Sequence, residues 1–177
     1  MAVDFDLDGA IRKVPDFPHE GILFYDITSI LMNPEAFSHC IDRMVELYKD
    51  TEIKSVAAID ARGFLFAAPF ADRLGIPIIL VRKKGKLPGE TLTKSFDLEY
   101  GQDQIQIQKT DVKPGENILI VDDLVATGGT LEAAADLIKM AGGVVTDIFS
   151  VVGLPFLPYK KVLGEYKVTT LIEYDSE

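Results

Sequence analysis

The sequence predicts an α/β fold, with a central, mainly parallel sheet flanked by helices, because the order strand, helix, strand occurs twice. First, an apolar run at residues 55–59 is followed by an alanine-rich helical segment at 63–74 and a β-branched run at 78–81. The same order returns after Pro114-Gly115. Strands that are apolar on both faces and alternate with helices are typical of a parallel sheet covered on both sides. Such sheets bind ligands at the carboxyl ends of their strands.

The remaining elements follow in chain order. Asn33 before Pro34 is a typical helix start, and apolar residues at helical spacing continue the helix to Tyr48. Residues 83–110 separate the two repeats and are rich in Gly, Pro, Lys and Gln. Within them, 104–108 alternates polar and apolar residues as a half-exposed strand does. We interpret 83–110 as a flexible hairpin inserted into a single domain.

The second repeat has the same three parts. A buried strand is predicted at 118–121, a helix at 131–140 and a further strand at 144–152. Gly142-Gly143 ends the helix, since glycine readily adopts the left-handed conformation found there. We therefore expect the strands of both repeats to lie side by side in one sheet.

Composition and charge exclude several function classes. With 177 residues, 47% of them hydrophobic, the chain suits one domain with a sizeable core. A net charge of −10 argues against general nucleic-acid binding. No apolar run approaches the roughly 18 residues of a membrane span. The lone Cys40 cannot form an internal disulfide, and the acidic residues 1–8 are unlike a secretory signal, so we expect a cytoplasmic protein.

Residues 121–130 carry the most specific chemical signal. They place Asp122 and Asp123 at the carboxyl end of a strand, before a Gly-Gly-Thr helix start. Glycines let the backbone approach an anion, and the first N–H groups of a helix favour a phosphate. Carboxylates accept hydrogen bonds from vicinal hydroxyls, so the pair suits a ribose whose 5-phosphate fills the loop. The segment lacks the Gly-Lys-Ser/Thr ending of a triphosphate-binding loop.

The same residues, 121–130, resemble the phosphoribosyl-pyrophosphate (PRPP) signature of the type I phosphoribosyltransferases. Residues 14–18, 60–66, 82–89 and 98–101 are similar to motifs of the adenine-specific members of that family. The resemblance implies transfer of the 5-phosphoribosyl group from PRPP to N9 of adenine, giving AMP and pyrophosphate. It also implies a homodimer, and Mg²⁺ held through PRPP oxygens and water with no direct protein ligand.

Carried over residue by residue, the resemblance assigns two of the binding sites and one catalytic residue. The ribose and 5-phosphate of PRPP are expected at Asp122, Asp123, Ala126, Thr127, Gly128, Gly129 and Thr130. Pyrophosphate is expected at Asp60, Ala61, Arg62, Arg82, Lys83, Lys86 and Tyr100. Glu99 is expected to handle the proton of the purine, within a lid at about 83–110 that excludes water.

The resemblance places adenine in a hood formed by about 1–32 and 153–177. The base-binding candidates are Leu23, Phe24, Tyr25 and Leu154. Phe24 is expected to stack on one face of the purine and Leu154 to pack on the other, while backbone groups near Leu23 and Tyr25 read its amine edge. The sequence departs from the family pattern at Tyr25, where a basic residue is expected, and at Glu20, where proline is.

Two other functions are compatible with these motifs. A transferase for xanthine or hypoxanthine would share residues 60–63 and 122–130, and a competition assay among purines would separate it. A regulatory protein could keep the ribose-phosphate site as a sensor without catalysis. A DNA-binding appendage would support the sensor, but an acidic chain of 177 residues leaves little room for one.

Overall fold

We describe the protein from a computed structural model that covers residues 5–97 and 102–176. The helices are Leu7–Ala10 (α1), Thr28–Leu31 (α2), Pro34–Tyr48 (α3), Arg62–Leu74 (α4), Gly129–Met140 (α5) and Tyr159–Val162 (α6). The strands are Arg12–Pro15 (β1), Leu23–Asp26 (β2), Ser55–Ile59 (β3), Ile78–Lys83 (β4), Thr91–Asp97 (β5), Gln102–Gln108 (β6), Asn117–Val125 (β7), Val144–Gly153 (β8) and Val168–Glu173 (β9).

The described strands form a seven-stranded sheet in the order β5-β6-β4-β3-β7-β8-β9. Along the part of this order that reads β4-β3-β7-β8-β9, all neighbouring strands are parallel. Strand β6 pairs antiparallel with both β4 and β5. Parallel neighbours with helices between them place all their carboxyl ends at one edge of the sheet. The predicted α/β class with a mainly parallel sheet is therefore confirmed.

Two apolar clusters cover the two faces of this sheet. Strand β3 is buried throughout, and its successive side chains alternate between the clusters, as the pleat requires. Val56 and Ala58 pack with α3 and α4, where Phe66 and Phe70 are fully buried. Ala57 packs on the other face, against α5. The sheet is consequently rigid where its strands end and the site begins.

The strand predicted at 104–108 is found within β6, but Gln106 is more buried than expected. Cys40 is fully buried because it shares the inward face of α3 with Ala36 and Met44, at a spacing of four residues. Gln106 was expected on a half-exposed strand, but it is 8% exposed. Its side chain is held in place by the N–H of Gly85 and the hydroxyl of Thr93, to which it is hydrogen-bonded.

A separate two-stranded sheet lies outside the central one. Strands β1 and β2 pair antiparallel, with Lys13 opposite Tyr25. The division of the chain into hood and lid stays a prediction. None of the helices in the two described ranges has the length and apolarity that crossing a membrane requires.

Candidate active site

The candidate residues meet in a cavity of about 380 Å³ where β3, β4 and β7 end. Its walls come from the loop after β3, the end of β4, the acid pair of β7, the start of α5 and the β5–β6 hairpin. The predicted residues in this lining are Asp60, Ala61, Arg62, Lys83, Asp122, Asp123 and Thr130. Segments that are up to 70 residues apart along the chain are brought together because the parallel strands end at a common edge.

A smaller cavity of about 120 Å³ adjoins the first at the β7–α5 loop. It is lined by Asp122, Leu124, Val125, Ala126, Thr127, Gly128, Thr130 and Leu131. Gly128 precedes α5 with a φ of +90°, and no described side chain caps the helix there. The first N–H groups of a helix have no intrahelical acceptor, so this loop offers donors and a positive dipole end to an anion. It is the predicted phosphate cradle.

Gly128 is required for two physical reasons. Its φ of +90° is a conformation that side chains with a Cβ rarely adopt. A Cβ at this position would also lie 3.2 Å from the Cα of Tyr159 and 3.2 Å from the Cγ of Leu163. The loop is therefore pressed against α6 and held in the shape that exposes its amides.

The acid pair lies inside β7 rather than after it. We predicted a strand that ends before Asp122, but Leu124 and Val125 still pair with β8, so the strand runs four residues further. The extension holds both carboxylates on a fixed backbone. Asp123 is 3% exposed and accepts a hydrogen bond from Nε of Arg62. Asp122 accepts the backbone N–H of Asp123 at 2.8 Å.

Asp122 differs from an ordinary carboxylate in its pKa as well as in its partner. Burial raises the pKa of Asp122 well above its ordinary value, and the negative charge of Asp123 adds to this effect. Arg62 offsets it only in part. A carboxyl group that is easily protonated can both donate to and accept from a sugar hydroxyl.

A tight contact fixes the acid pair relative to the next loop. Gly63, in the first turn of α4, lies so close to β7 that a Cβ there would be 2.7 Å from the carbonyl oxygen of Val121 and 3.2 Å from the Cα of Asp122. This approach brings Arg62 within reach of Asp123. The peptide bond between Asp60 and Ala61, just before α4, is cis.

Each cationic side chain that approaches the cavity is held by a carboxylate. Nε of Arg82 donates to Asp60 at 2.9 Å, and one of its terminal nitrogens donates to the carbonyl of Lys86 at 3.3 Å. Lys83 pairs with Asp103 at 2.8 Å, and that partner raises the pKa of the lysine. Each of these cations is thus matched by a carboxylate, with which a polyanionic ligand has to compete for the positive charge.

The hairpin contributes residues that the sequence did not single out. Phe96 and Asp103 line the 380 Å³ cavity. The Gln106 side chain accepts the N–H of Gly85 at 2.8 Å and donates to the hydroxyl of Thr93 at 2.8 Å, which ties the hairpin to the loop after β4. The only available signal was a glutamine between two isoleucines, and alternation alone assigned it to solvent. Glu99 and Tyr100 lie outside the described residues.

The adenine-binding candidates form a separate group. Within the described residues, the 380 Å³ cavity is lined by none of Leu23, Phe24, Tyr25 and Leu154. Leu23 and Leu154 pack in one apolar cluster, and the N–H of Leu154 donates to the carbonyl of Val125 at 3.0 Å, beside the phosphate loop. The half-buried ring of Phe24 meets Phe17 edge-on, with ring centroids 5.0 Å apart.

Tyr25 differs from its neighbours because its side chain is only 6% exposed. Its ring stacks on Tyr174, and its hydroxyl donates to the carbonyl of Ser176 at 2.9 Å. The aromatic side chain is therefore buried, and only the backbone of Tyr25 is left for a ligand. The expected recognition of the amine edge was likewise placed on backbone groups near Tyr25.

Comparison with known proteins gives consistent matches. The family model for the phosphoribosyl transferase domain matches residues 26–153. An adenine phosphoribosyltransferase of Treponema denticola is 63% identical over 171 residues, which cover 97% of this chain and 90% of that protein.

Solved structures agree with the sequence relatives. The adenine phosphoribosyltransferase of Thermoanaerobacter pseudethanolicus superposes with a TM-score of 0.90 at 44% identity, covering 95% of this chain and 98% of that one. The Saccharomyces cerevisiae enzyme, in complex with an imino-altritol bisphosphate and adenine, has a TM-score of 0.88 at 38% identity, covering 94% and 96% of the two chains.

Proposed function

The chain belongs to the adenine phosphoribosyltransferase family, and we propose that it transfers the 5-phosphoribosyl group of PRPP to N9 of adenine, forming AMP and pyrophosphate. The observation that carries this proposal is the joined pair of cavities at the strand ends. One presents the uncapped start of α5. The other is lined by the cations Arg62 and Lys83 and by four carboxylates, of which Asp60 is paired with Arg82, Asp103 with Lys83 and Asp123 with Arg62. A phosphorylated sugar with a pyrophosphate leaving group fits this arrangement, in which a helix start that can bind phosphate adjoins an acid pair and cations.

The β7–α5 loop binds the 5-phosphate in this proposal. The backbone N–H groups of residues 127–130 donate to its oxygens, and the helix dipole stabilises its charge. Asp122 and Asp123 lie on β7, just before this loop, and accept hydrogen bonds from the two ribose hydroxyls. Because both carboxylates are fixed within a strand, little conformational freedom is lost when the sugar binds.

The loops after β3 and β4 bind the pyrophosphate. As the bond from C1 of the ribose to the pyrophosphate oxygen breaks, its electron pair leaves with the pyrophosphate, and negative charge increases there. Arg62 and the Arg82–Lys83 pair of cations stabilise that charge most when it is fully developed, which lowers the barrier. Their present carboxylate partners hold them in position until the anion arrives.

N9 of adenine supplies the electron pair for the new bond to C1, and the N9 proton has to be accepted by a base. We assign this role to Glu99. Glu99→Gln keeps the shape but removes the basic oxygen, so we expect kcat to fall about a hundredfold, as is usual for loss of general-base catalysis, with PRPP affinity unchanged. Steady-state kinetics and calorimetry measure the two effects.

Glu90→Gln is the matched control, since Glu90 is exposed and pairs with Lys109 at the base of the same hairpin. Its kcat should equal that of the unaltered protein. An unchanged kcat in Glu99→Gln would remove Glu99 from its proposed role.

The choice of base tests the function as a whole. Backbone acceptors near Leu23 and Tyr25 suit the amine of adenine, whereas the oxygen of hypoxanthine would leave them unpaired. With PRPP present, we expect turnover of adenine and a kcat/KM for hypoxanthine, xanthine or guanine lower by at least roughly a hundredfold. Equal turnover of hypoxanthine would favour the alternative base specificity. Binding of PRPP without any transfer would favour the sensor.

We also propose that the reaction uses Mg²⁺. In the described residues no cluster of three or more His, Cys, Asp or Glu is placed to hold a metal ion. Among the carboxylates of the cavity, Asp60 follows β3, Asp103 lies on β6, and Asp122 and Asp123 lie on β7, a spread that fits a cation that enters with PRPP and keeps its waters. When bound, it would neutralise charge on the departing pyrophosphate. Chelation by EDTA should abolish turnover, and added Mg²⁺ should restore it.

The family resemblance further leads us to propose a cytoplasmic homodimer. Two apolar side chains of the described surface, Leu65 and Leu80, are 43% and 37% exposed, and a dimer contact would remove them from water. Light scattering after gel filtration should give twice the 19.5 kDa of one chain. A mass of one chain would contradict the homodimer.

A further inference from the structure

The C-terminal segment contacts the residues next to both walls of the proposed adenine pocket, Phe24 and Leu154. The ring of Tyr174 stacks on Tyr25, with centroids 3.8 Å apart and planes 14° from parallel. The backbone N–H of Tyr174 donates to the carbonyl of Gly153 at 3.0 Å. Tyr25 directly follows Phe24, and Gly153 directly precedes Leu154. Tyr174 therefore contacts the chain neighbours of both side chains proposed to enclose the purine.

Further contacts join this segment to the N-terminal residues. The hydroxyl of Tyr174 donates to Asp8 at 2.7 Å, and the hydroxyl of Tyr25 donates to the carbonyl of Ser176 at 2.9 Å. Lys13, opposite Tyr25 in the small sheet, pairs with Asp8 at 2.8 Å and lies 5.3 Å from the centroid of the Tyr174 ring. The ring is thus held by stacking, by a hydrogen bond and by a cation.

These contacts matter because of how the small sheet is connected. In the described residues, β1 and β2 pair only with each other and share no strand pairing with the seven-stranded sheet. A two-stranded sheet has little stability of its own. The position of Phe24 relative to Leu154 must then be set by contacts other than strand pairing. Tyr174 contacts the neighbours of both residues, Tyr25 through its ring and Gly153 through its backbone N–H.

We infer that Tyr174 is a positioning residue that sets the separation between Phe24 and Leu154, and through it the affinity for adenine. The inference rests on the proposed function, since it takes those two residues as the walls of the base pocket. Tyr174 itself is not placed against the substrate. Its effect should be specific to the base, because the PRPP cavities are built on β3, β4 and β7, which Tyr174 does not join.

The test compares Tyr174→Leu with Tyr174→Phe. The leucine removes the stacking and the bond to Asp8, and we expect the KM for adenine to rise on the order of tenfold, below the roughly hundredfold cost of a full 1 Å misplacement. The KM for PRPP should be unchanged. The phenylalanine keeps the stacked ring, so its adenine KM should stay within about twofold of the unaltered protein.

Tyr166→Leu is the control for general loss of stability. Tyr166 is also half-buried near the C-terminus and also has a lysine, Lys139, over its ring at 4.6 Å, but it packs on the opposite apolar cluster. It should lose stability without any change in adenine KM. If Tyr174→Leu does not fold, Asp8→Ala, which removes both the hydroxyl partner of Tyr174 and the carboxylate partner of Lys13, should raise the adenine KM by about threefold, more than Tyr174→Phe does.

Hydrogen exchange of the amides in β2 provides a readout that does not depend on activity. Exchange there should accelerate in Tyr174→Leu and not in Tyr166→Leu. Accelerated exchange in a protein that does not turn over adenine would show that the proposed function fails while the positioning contact holds. Unchanged exchange, an unchanged adenine KM, or an equal rise in the PRPP KM would overturn the inference.

Discussion

The two halves of the candidate site are built in opposite ways. The sugar-phosphate half occupies one continuous stretch, from Asp122 to Thr130, on a central strand and the helix that follows it. The base half is assembled from β2, the end of β8 and the C-terminal segment. The first half takes its geometry from one strand and its loop, whereas in the second β2 is joined to the C-terminal segment by side-chain contacts, the stacking of Tyr25 on Tyr174 and the hydrogen bond from Tyr25 to Ser176.

This difference has consequences for chemistry and for tolerance to change. A phosphate bound by backbone amides needs a fixed loop, so one wrong backbone conformation should remove binding outright. A purine held between apolar side chains should tolerate moderate changes at a moderate loss of affinity. Substitutions in the two halves should therefore differ in size as well as in which substrate they affect.

The largest effect is expected at Gly128. Gly128→Ala forces a Cβ into a backbone with a φ of +90° and to 3.2 Å from Tyr159 and Leu163, so the loop must move. We expect PRPP affinity to fall about a hundredfold. The free energy of unfolding should fall by about 1–2 kcal/mol, the cost of a left-handed residue with a side chain. Calorimetry and thermal unfolding measure the two changes.

Gly142→Ala is the matched control at the other end of the same helix. Its φ is +91°, but the nearest atom to an added Cβ is 3.6 Å away, in Pro114. It should show a similar loss of stability and unaltered PRPP affinity. Equal losses of PRPP affinity in both variants would mean that the loop at Gly128 has no particular role in binding the phosphate, which would contradict the proposed difference between the two halves of the site.

The second effect concerns the acid pair, where binding and stability should change in opposite directions. Asp122→Asn should weaken PRPP binding by about tenfold to a hundredfold, since a hydrogen bond to a charged group contributes about 1.5–3 kcal/mol. The pKa of Asp122 is raised in the folded protein. Its contribution to the free energy of unfolding is therefore fully present only at a pH below the pKa of the unfolded chain, and it is lost as the pH rises through the pKa of the folded protein.

At pH 7, well above the ordinary pKa of the group, Asp122 is therefore a cost to the fold, and Asp122→Asn should unfold at the same temperature as the unaltered protein or higher. The gain in melting temperature of Asp122→Asn should shrink as the pH is lowered toward about 4, near the ordinary pKa of an aspartate. Asp123→Asn is the contrasting variant. It weakens the bond to Arg62 and should lower the melting temperature. A lower melting temperature for Asp122→Asn at pH 7 would contradict the assignment.

The smallest effect is expected in the base half. Phe24→Ala should raise the dissociation constant for adenine or AMP by about tenfold, since an aromatic pair contributes roughly 0.5–1.5 kcal/mol beyond its buried area. PRPP binding should not change. Phe17→Ala, which removes the half-exposed ring that meets Phe24 edge-on, should have a weaker effect in the same direction. A larger loss of PRPP than of adenine affinity would reverse the comparison.

Most of the fold and the sugar-phosphate half could be predicted from the sequence. Both repeats gave strands and helices near their observed bounds, because apolar periodicity and the Gly and Pro residues between segments indicated the same elements. The acid pair and the phosphate loop were readable because neighbours in sequence are neighbours in space there, whereas Arg62, 61 residues from Asp123, was assigned through the family resemblance. The extension of β7 past Asp123 was not, since it depends on pairing with β8.

The base half was harder to predict for a physical reason. The stacking of Tyr25 on Tyr174 joins residues 149 positions apart, and no local pattern indicates it. Gln106 shows the same limit, because only the neighbouring strands determine that its amide is buried. Contacts made by packing between distant segments leave little trace in periodicity.

A crystal structure with AMP would test the central claim most directly. We expect the phosphate to accept hydrogen bonds from the amides of residues 127–130, the ribose hydroxyls to meet Asp122 and Asp123, and the purine to lie between Phe24 and Leu154. AMP bound elsewhere, with the β7–α5 loop empty, would contradict the account.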